Sequence, residues 1–256
     1  AHLRGEMERL AARGVKLSPE NLRISGKAAI CLPAHVRQDC LEEERLAGEK
    51  YGSTRRGIAP IYGDKYMKKA LRMEDLLEPQ RLERRLRQLL EWKNLLLERG
   101  YGAPGEDYDE TLRWLRENGA PLRPYICDTG VYLEKAIAAG KDVLFEAQLG
   151  ALRDIDYGIY PFTSSSTTLA AYAPIGAGIP GRKLERTIGV MKAYSTCVGE
   201  GPFTCELFGE QAEALREAGG EYGAATGRPR RVGPFDVPAS RYGVRMQGAD
   251  QLALTK

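Results

Sequence analysis

Histidine is almost missing from this sequence: among 256 residues only His2 and His35 occur. A Ser-His-Asp or Cys-His catalytic engine therefore has almost no material. The five cysteines, Cys31, Cys40, Cys127, Cys197 and Cys205, are odd in number and scattered. They form no CxxC pair and no Cys/His cluster, which argues against zinc ligation and a disulfide framework and fits a reducing, cytoplasmic setting. No run of 18 apolar residues occurs, and Pro174 and Pro180 break the longest apolar-leaning stretch, so no membrane-spanning helix is expected. The first thirteen residues are charged and lack an apolar h-region, so no secretory signal is expected either. Charge of one sign is lacking too: 38 Lys and Arg stand against 35 Asp and Glu, a net +3 that makes no case for nucleic acid.

What is present is an ordinary globular composition, 43% hydrophobic and 29% charged, with arginine outnumbering lysine about two to one. Any chemistry must come from carboxylates, guanidiniums, hydroxyls and backbone. Leu3, Met7 and Leu10 predict an opening amphipathic helix stopped by Gly14. Ala28 to Leu32 reads as a short strand and Glu42 to Lys50 as a short charged helix. Leu82, Leu86, Leu89, Leu90, Lys93, Leu96 and Leu97 form one stripe of a helix over 80–99, with Pro79 before it and Gly100 after it. Further helices are expected around Tyr108 to Leu115, from an Asp128 cap to Ala139, over 210–218 and over 238–247. Asp142 to Glu146 reads as a buried strand, and strands are also expected over 187–194 and 251–254. This rhythm predicts an α/β fold, a largely parallel central sheet flanked by helices, in a single domain spanning 1–256.

Several segments carry candidate chemistry. Gly176 to Gly181 matches the letters of GxGxxG, but Pro180 falls where an amide should donate, so it reads as a turn. No GxxxxGK[ST] phosphate loop occurs. The loop Gly52 to Pro60 offers Ser53, Thr54, Arg55 and Arg56 as phosphate donors, or is a solvated turn. Thr226 to Arg231 presents Arg228, Arg230 and Arg231 from a stretch stiffened by Pro229, an arrangement suited to clamping an anion. Asp154 and Asp156 read as Asx-turn residues rather than a general acid/base pair. The hydroxyl run Ser164 to Thr168 either cradles phosphate or solvates a loop.

GSTRRGIAP followed by DKY, FEAQLGALRDIDYGIYPFTSSS, VMKAYSTCVGEGPF, EYGAATGRPRRVG and the closing LALTK occur in that order. Together they resemble the adenylosuccinate synthetase family, GTP-dependent ligases of purine nucleotide synthesis. The resemblance implies a P-loop-GTPase-like fold and a two-step reaction. The γ-phosphate of GTP moves to the 6-oxygen of IMP, and the amine of L-aspartate then displaces that phosphate to give adenylosuccinate. Phosphorylation makes a poor leaving group a good one, with magnesium and arginines stabilising charge on the transferring phosphoryl.

Residue by residue, the resemblance makes Thr54 the threonine that holds the IMP phosphate and Gln148 and Arg228 IMP contacts. Ser164 aligns with the IMP-contacting hydroxyl if no gap is opened, Thr163 if one is. Lys68 stands where an arginine reaches into the IMP site of the neighbouring subunit of a homodimer; lysine keeps the charge but loses the fork. Ala225 and Thr226 belong to the loop that closes over aspartate, and Arg230 and Lys256 to the GTP site. Cys197 replaces a common arginine, and Pro234-Phe235 a tryptophan-containing pair.

The family's GDEGKGK loop, whose aspartate is the catalytic base, and its GHN histidine have no counterpart in these residues, so no catalytic residue is assigned. The main ligands of magnesium and GTP are missing with them, and the TKxD motif stops at Thr255-Lys256. The expectation is an internal piece of such an enzyme, inactive as a synthetase by itself, with no nucleic-acid or membrane partner. The alternative is a non-catalytic nucleotide-phosphate-binding or regulatory module that uses the two arginine loops.

Overall fold

The computed structural model describes residues 1–147, 149–223 and 227–256. The expectations for Gln148, Ala225 and Thr226 therefore lie outside the described residues. The chain divides into two compact units, Ala1–Arg45 with Arg55–Val143, and Leu46–Thr54 with Leu144–Lys256. Among the described residues no helix is long and apolar enough to cross a membrane.

The first unit contains α1 (His2–Ala12), β1 (Ile24–Ser25), α2 (Pro33–Leu46), α3 (Ile58–Tyr66), α4 (Pro79–Leu95), α5 (Tyr108–Gly119), β2 (Ile126–Cys127) and α6 (Thr129–Ala138). β1 and β2 pair in parallel. Pro79 opens α4, and Leu82, Leu86, Leu89 and Leu90 bury one face at helical spacing before the helix passes into a π turn at Leu96–Gly100. They pack with Leu32, Leu71, Leu76, Leu112, Leu115 and Leu122. Asp107 and Asp128 cap α5 and α6 by accepting from the amides of Glu110 at 2.8 Å and Val131 at 3.0 Å.

Two expectations in this unit give way. The helix expected at Glu42 begins at Pro33, because its inward face carries His35, Asp39 and Glu43 at i, i+4 and i+8, polar residues invisible to a hydrophobic pattern. Ala28–Leu32 forms only one isolated bridge, Ala29 with Arg72, since α2 starts directly after it and leaves no length for a ladder.

The second unit contains α7 (Ala173–Ala177), β3 (Ile188–Lys192), β4 (Ser195–Cys197), α8 (Gly209–Gly219), β5 (Arg231–Gly233), α9 (Val237–Gln247) and β6 (Gln251–Thr255). β3 and β6 pair in parallel and β4 and β5 antiparallel. The described strands thus make three two-stranded sheets, two of them parallel, in a mixed α/β fold. Asp142–Glu146 is not a buried strand: the segment is irregular and Leu144 is 92% exposed, and among the described residues no neighbouring strand supplies a ladder. The GxGxxG look-alike is α7 and its left-handed cap Gly178, a turn as its proline suggests. Asp154 accepts from the amides of Asp156, Tyr157 and Thr168, the Asx-type bonding expected of it.

Leu86 is fully buried in the first unit's core. Leu86→Ala is expected to cost about 3 kcal/mol, typical of a buried leucine truncation. A lowered urea midpoint with an unchanged slope checks it; an unmoved midpoint contradicts it.

Candidate functional site

In the second unit the chain corner Val198–Gly201, following β4, gathers four segments that the sequence left far apart. The amide of Glu200 donates to the Tyr51 carbonyl at 3.2 Å, which seats the segment leading to Thr54 on the corner. Gly52 is required for that fit: its φ is +75°, and an added Cβ would lie 2.6 Å from the Glu200 nitrogen. Arg153 donates to the Val198 carbonyl at 3.1 Å and also to the Phe162 carbonyl, and its own carbonyl accepts from the Ser164 amide at 2.8 Å. The rings of Phe162 and Tyr51 meet edge to face at 6.3 Å. Arg231 donates to the Gly201 carbonyl at 2.8 Å and pairs with Glu206, while Arg228 pairs with Glu200 at 3.1 Å.

The segments bearing Thr54, Ser164 and Arg228 are therefore brought together on one corner of one unit. Their donors are two hydroxyls and a guanidinium, a set matched to an anion. Ser164 also lies 3.3 Å, oxygen to oxygen, from the hydroxyl of Ser166.

The three arginines that follow Gly227 differ in how firmly they are held. Arg228 is 46% exposed and faces the partly exposed Glu200. Such a pair contributes only about 0–1 kcal/mol, so an incoming anion can take the carboxylate's place at little cost. Arg230 instead donates at 2.9 Å to Glu221, which is fully buried and also takes two bonds from Lys192, at 2.6 and 2.7 Å, and one from the Tyr194 hydroxyl. Lys256 stands 3.6 Å from the same carboxylate and donates to the Gly219 carbonyl at 2.6 Å. Burial works to raise the Glu221 pKa, but the bonds from Lys192, Tyr194 and Arg230 outweigh it and hold it at about 2. The bond to Glu221 pushes the Tyr194 hydroxyl up to about 12. Arg230 and Arg231 also line an open cavity of about 450 Å³ whose other charged groups include Arg216, Glu206, Glu210 and Glu213, a mixed lining.

The first unit carries Lys68, exposed at the turn after α3 with φ +63°, and Arg55, with φ +54°. Left-handed backbone at a residue with a side chain costs roughly 1–3 kcal/mol and persists where the surroundings over-determine it. Beneath them lies a buried polar set. His35 Nε2 and Lys93 Nζ both donate to Asp64 Oδ2, at 2.9 and 2.8 Å, and Lys93 also donates to Gln38 at 2.6 Å. The Leu32 amide donates to His35 Nδ1 at 2.9 Å, so the proton of the neutral ring sits on Nε2. Burial lowers the pKa of both His35 and Lys93. Burial works to raise Asp64, but the bonds from His35 and Lys93 prevail and leave it low.

Glu221, Arg153, Glu200 and the Asp64 set escaped the sequence reading. The one available signal was the arginine surplus, since inward-facing guanidiniums require buried or half-buried carboxylates. Among the described residues no group of three His, Cys, Asp or Glu side chains could hold a metal ion.

The fold is mixed α/β, and its corner brings together arginines and hydroxyls, a donor set matched to an anion. The family model for adenylosuccinate synthetase matches residues 1–256, and the chain belongs to that family. It is 47% identical over 249 residues to the adenylosuccinate synthetase of Symbiobacterium thermophilum, covering 97% of this chain and 57% of that relative. It is 46% identical over 256 residues to that of Pelotomaculum thermopropionicum, covering all of this chain and 60% of that one. The fully ligated adenylosuccinate synthetase structure from Plasmodium falciparum superposes with a TM-score of 0.90 at 32% identity, over 99% of this chain and 59% of that one. The chain thus spans somewhat under two thirds of the length of the relatives it matches.

Glu221→Gln is expected to cost about 3 kcal/mol, because removing the carboxylate leaves Lys192 and Arg230 without their counter-charge. The sign with pH follows from the lowered carboxyl. Its contribution is complete above the ordinary value of 4.5 and is lost as pH falls towards about 2. Denaturant titrations should show the variant's deficit shrinking across that window; a deficit independent of pH contradicts the assignment.

Proposed function

We infer that this chain supplies the IMP-holding portion of a GTP-dependent adenylosuccinate synthetase. The observation that carries the reading is the convergence of the Thr54, Ser164 and Arg228 segments on the Val198–Gly201 corner. In this reading the Thr54 hydroxyl binds the IMP phosphate, and Ser164 and Gln148 orient the nucleotide. Arg228 exchanges the Glu200 carboxylate for the ligand. Ala225 and Thr226 belong to the aspartate loop, where Ala225 offers no hydroxyl.

Arg230 serves the GTP side with its fork held by Glu221, and Lys256 belongs to the guanine-reading segment. Lys68 reaches the IMP site of a second subunit as a single point charge rather than a bidentate fork. The setting is the cytoplasm and the assembly a homodimer.

Bound magnesium would neutralise charge on the transferring phosphoryl. The described residues offer it no cluster of ligands, so no step is derived through it. What these residues do is bind and orient: they fix the purine ring so that its 6-oxygen meets the γ-phosphoryl and its carbon 6 then meets the aspartate amine as the phosphorylated oxygen leaves.

Two measurements test the reading. A charge-assisted bond contributes about 1.5–3 kcal/mol, so Arg228→Ala should weaken IMP binding by roughly ten- to a hundredfold in calorimetry. An unchanged dissociation constant removes Arg228 from the site. Purified chain given GTP, IMP, aspartate and magnesium is expected to bind IMP but form no adenylosuccinate. Detectable product would show that the described residues suffice for the chemistry.

A further inference from the structure

The two left-handed basic residues of the first unit, Arg55 and Lys68, flank in sequence the helix α3 that carries the buried carboxylate of Asp64. Gly57 closes the arginine loop against the first turn of α2, where an added Cβ would come within 2.7 Å of the Val36 nitrogen and 2.8 Å of the His35 carbonyl carbon. Its amide donates to Asp39 Oδ2 at 2.8 Å, and the Cys31 sulfur lies 3.5 Å from the Arg56 carbonyl oxygen. The His35 backbone thus abuts the loop while its side chain donates to Asp64. The Asp64 carbonyl in turn accepts from the amides of Lys69 at 2.8 Å and Ala70 at 3.1 Å, and the Lys68 amide donates to the Lys65 carbonyl at 3.1 Å. Those bonds close the turn that displays Lys68.

We propose that Asp64 is a positioning residue for phosphate recognition, fixing the Arg55–Gly57 loop and the Lys68 turn as one assembly through His35 and Lys93. The proposal rests on the reading of both segments as phosphate-facing. One oxygen, Asp64 Oδ2, ties α2 through His35, α3 through its own backbone, and α4 through Lys93, which also returns to α2 at Gln38. Apolar side chains of similar volume would fill the same space with equal or better stability. What they would not supply is direction. Two donors converging on a single oxygen fix the sliding and rotation of α2 against α3, and the strained basic residues stand just before and just after α3. Registry is the best-attested use of a buried ionic set.

The test compares IMP with inosine, which shares the base and ribose and lacks the phosphate, by calorimetry on the full 256-residue chain. Asp64→Asn is expected to weaken IMP about tenfold while leaving inosine within about twofold, because only the charge-assisted phosphate bonds depend on the assembly. That variant leaves the Lys93 ammonium buried without its counter-charge, so Asp64→Asn/Lys93→Met is measured beside it. The double variant is expected to melt at or above the parent's temperature and still lose about tenfold of the preference for IMP over inosine, a separation that a purely stabilising role would not produce. Hydrogen exchange gives a readout without ligand: the amides of Gly57 and Ala70 should exchange faster together in the double variant. A preference for IMP undiminished in the double variant, or unchanged exchange at both amides, would overturn the positioning role alone. No preference for IMP over inosine in the parent chain would overturn the phosphate reading, and this proposal with it.

Discussion

A carboxylate taken out of water must be surrounded by donors or give up its charge, and this constraint organises both units. Asp64 collects His35 and Lys93; Asp75 faces Arg81 at 2.8 Å and accepts the Arg72 amide at 2.8 Å. Asp154 takes three backbone amides, and Glu221 takes Lys192, Tyr194 and Arg230. Each of the four is fully or almost fully buried. Asp64, Asp154 and Glu221 draw together segments that are distant in the sequence, while Asp75 ties its own turn to the start of α4. Remove the acids and the arginine loops would have neither fixed backbone nor fixed side chains.

The same constraint sorts the arginines by the work open to them. Arg230 is bound to a buried acid whose desolvated charge would be left uncompensated if the guanidinium moved, so it serves best as a fixed donor. Arg228 faces an acid that water already reaches, and letting go of it costs little. On the proposed reading, a ligand phosphate competes with Glu200 and hardly at all with Glu221. Binding that requires one arginine to switch partners while its neighbour stays put is compatible with a short, stiff spacing. Pro229 between the two supplies that stiffness.

Much of the fold was legible where burial is apolar or a cap is local. The α4 stripe and the Asp128 cap follow from spacing and residue type alone. The beginning of α2 was not legible, because its inward face is His35, Asp39 and Glu43, which pattern reading assigns to solvent. Leu144 failed in the opposite sense: an apolar run predicts a strand, but a strand exists only where another strand offers a ladder. For the site, sequence motifs named the donors Thr54, Ser164 and Arg228. Their convergence depends on Arg153 and Glu200, long-range partners that carry no local signature.

Cys197 occupies a place at this corner that the family resemblance gives to an arginine. Where an arginine is common, this chain places a thiol 2.5 Å from Arg153 Nη2 and 4.0 Å from Arg231 Nη1. A third guanidinium between those two would face like charge from both sides and need a carboxylate of its own. The Cys197 sulfur accepts from Arg153 instead, and Glu206 pairs with Arg231. One cation fewer at the corner means less repulsion to offset before an anion arrives, and also less attraction for it. The positive field then depends more heavily on Arg228 and on the orientation that Arg153 and Arg231 impose through backbone carbonyls. In this chain, accurate placement of the remaining cations substitutes for their number.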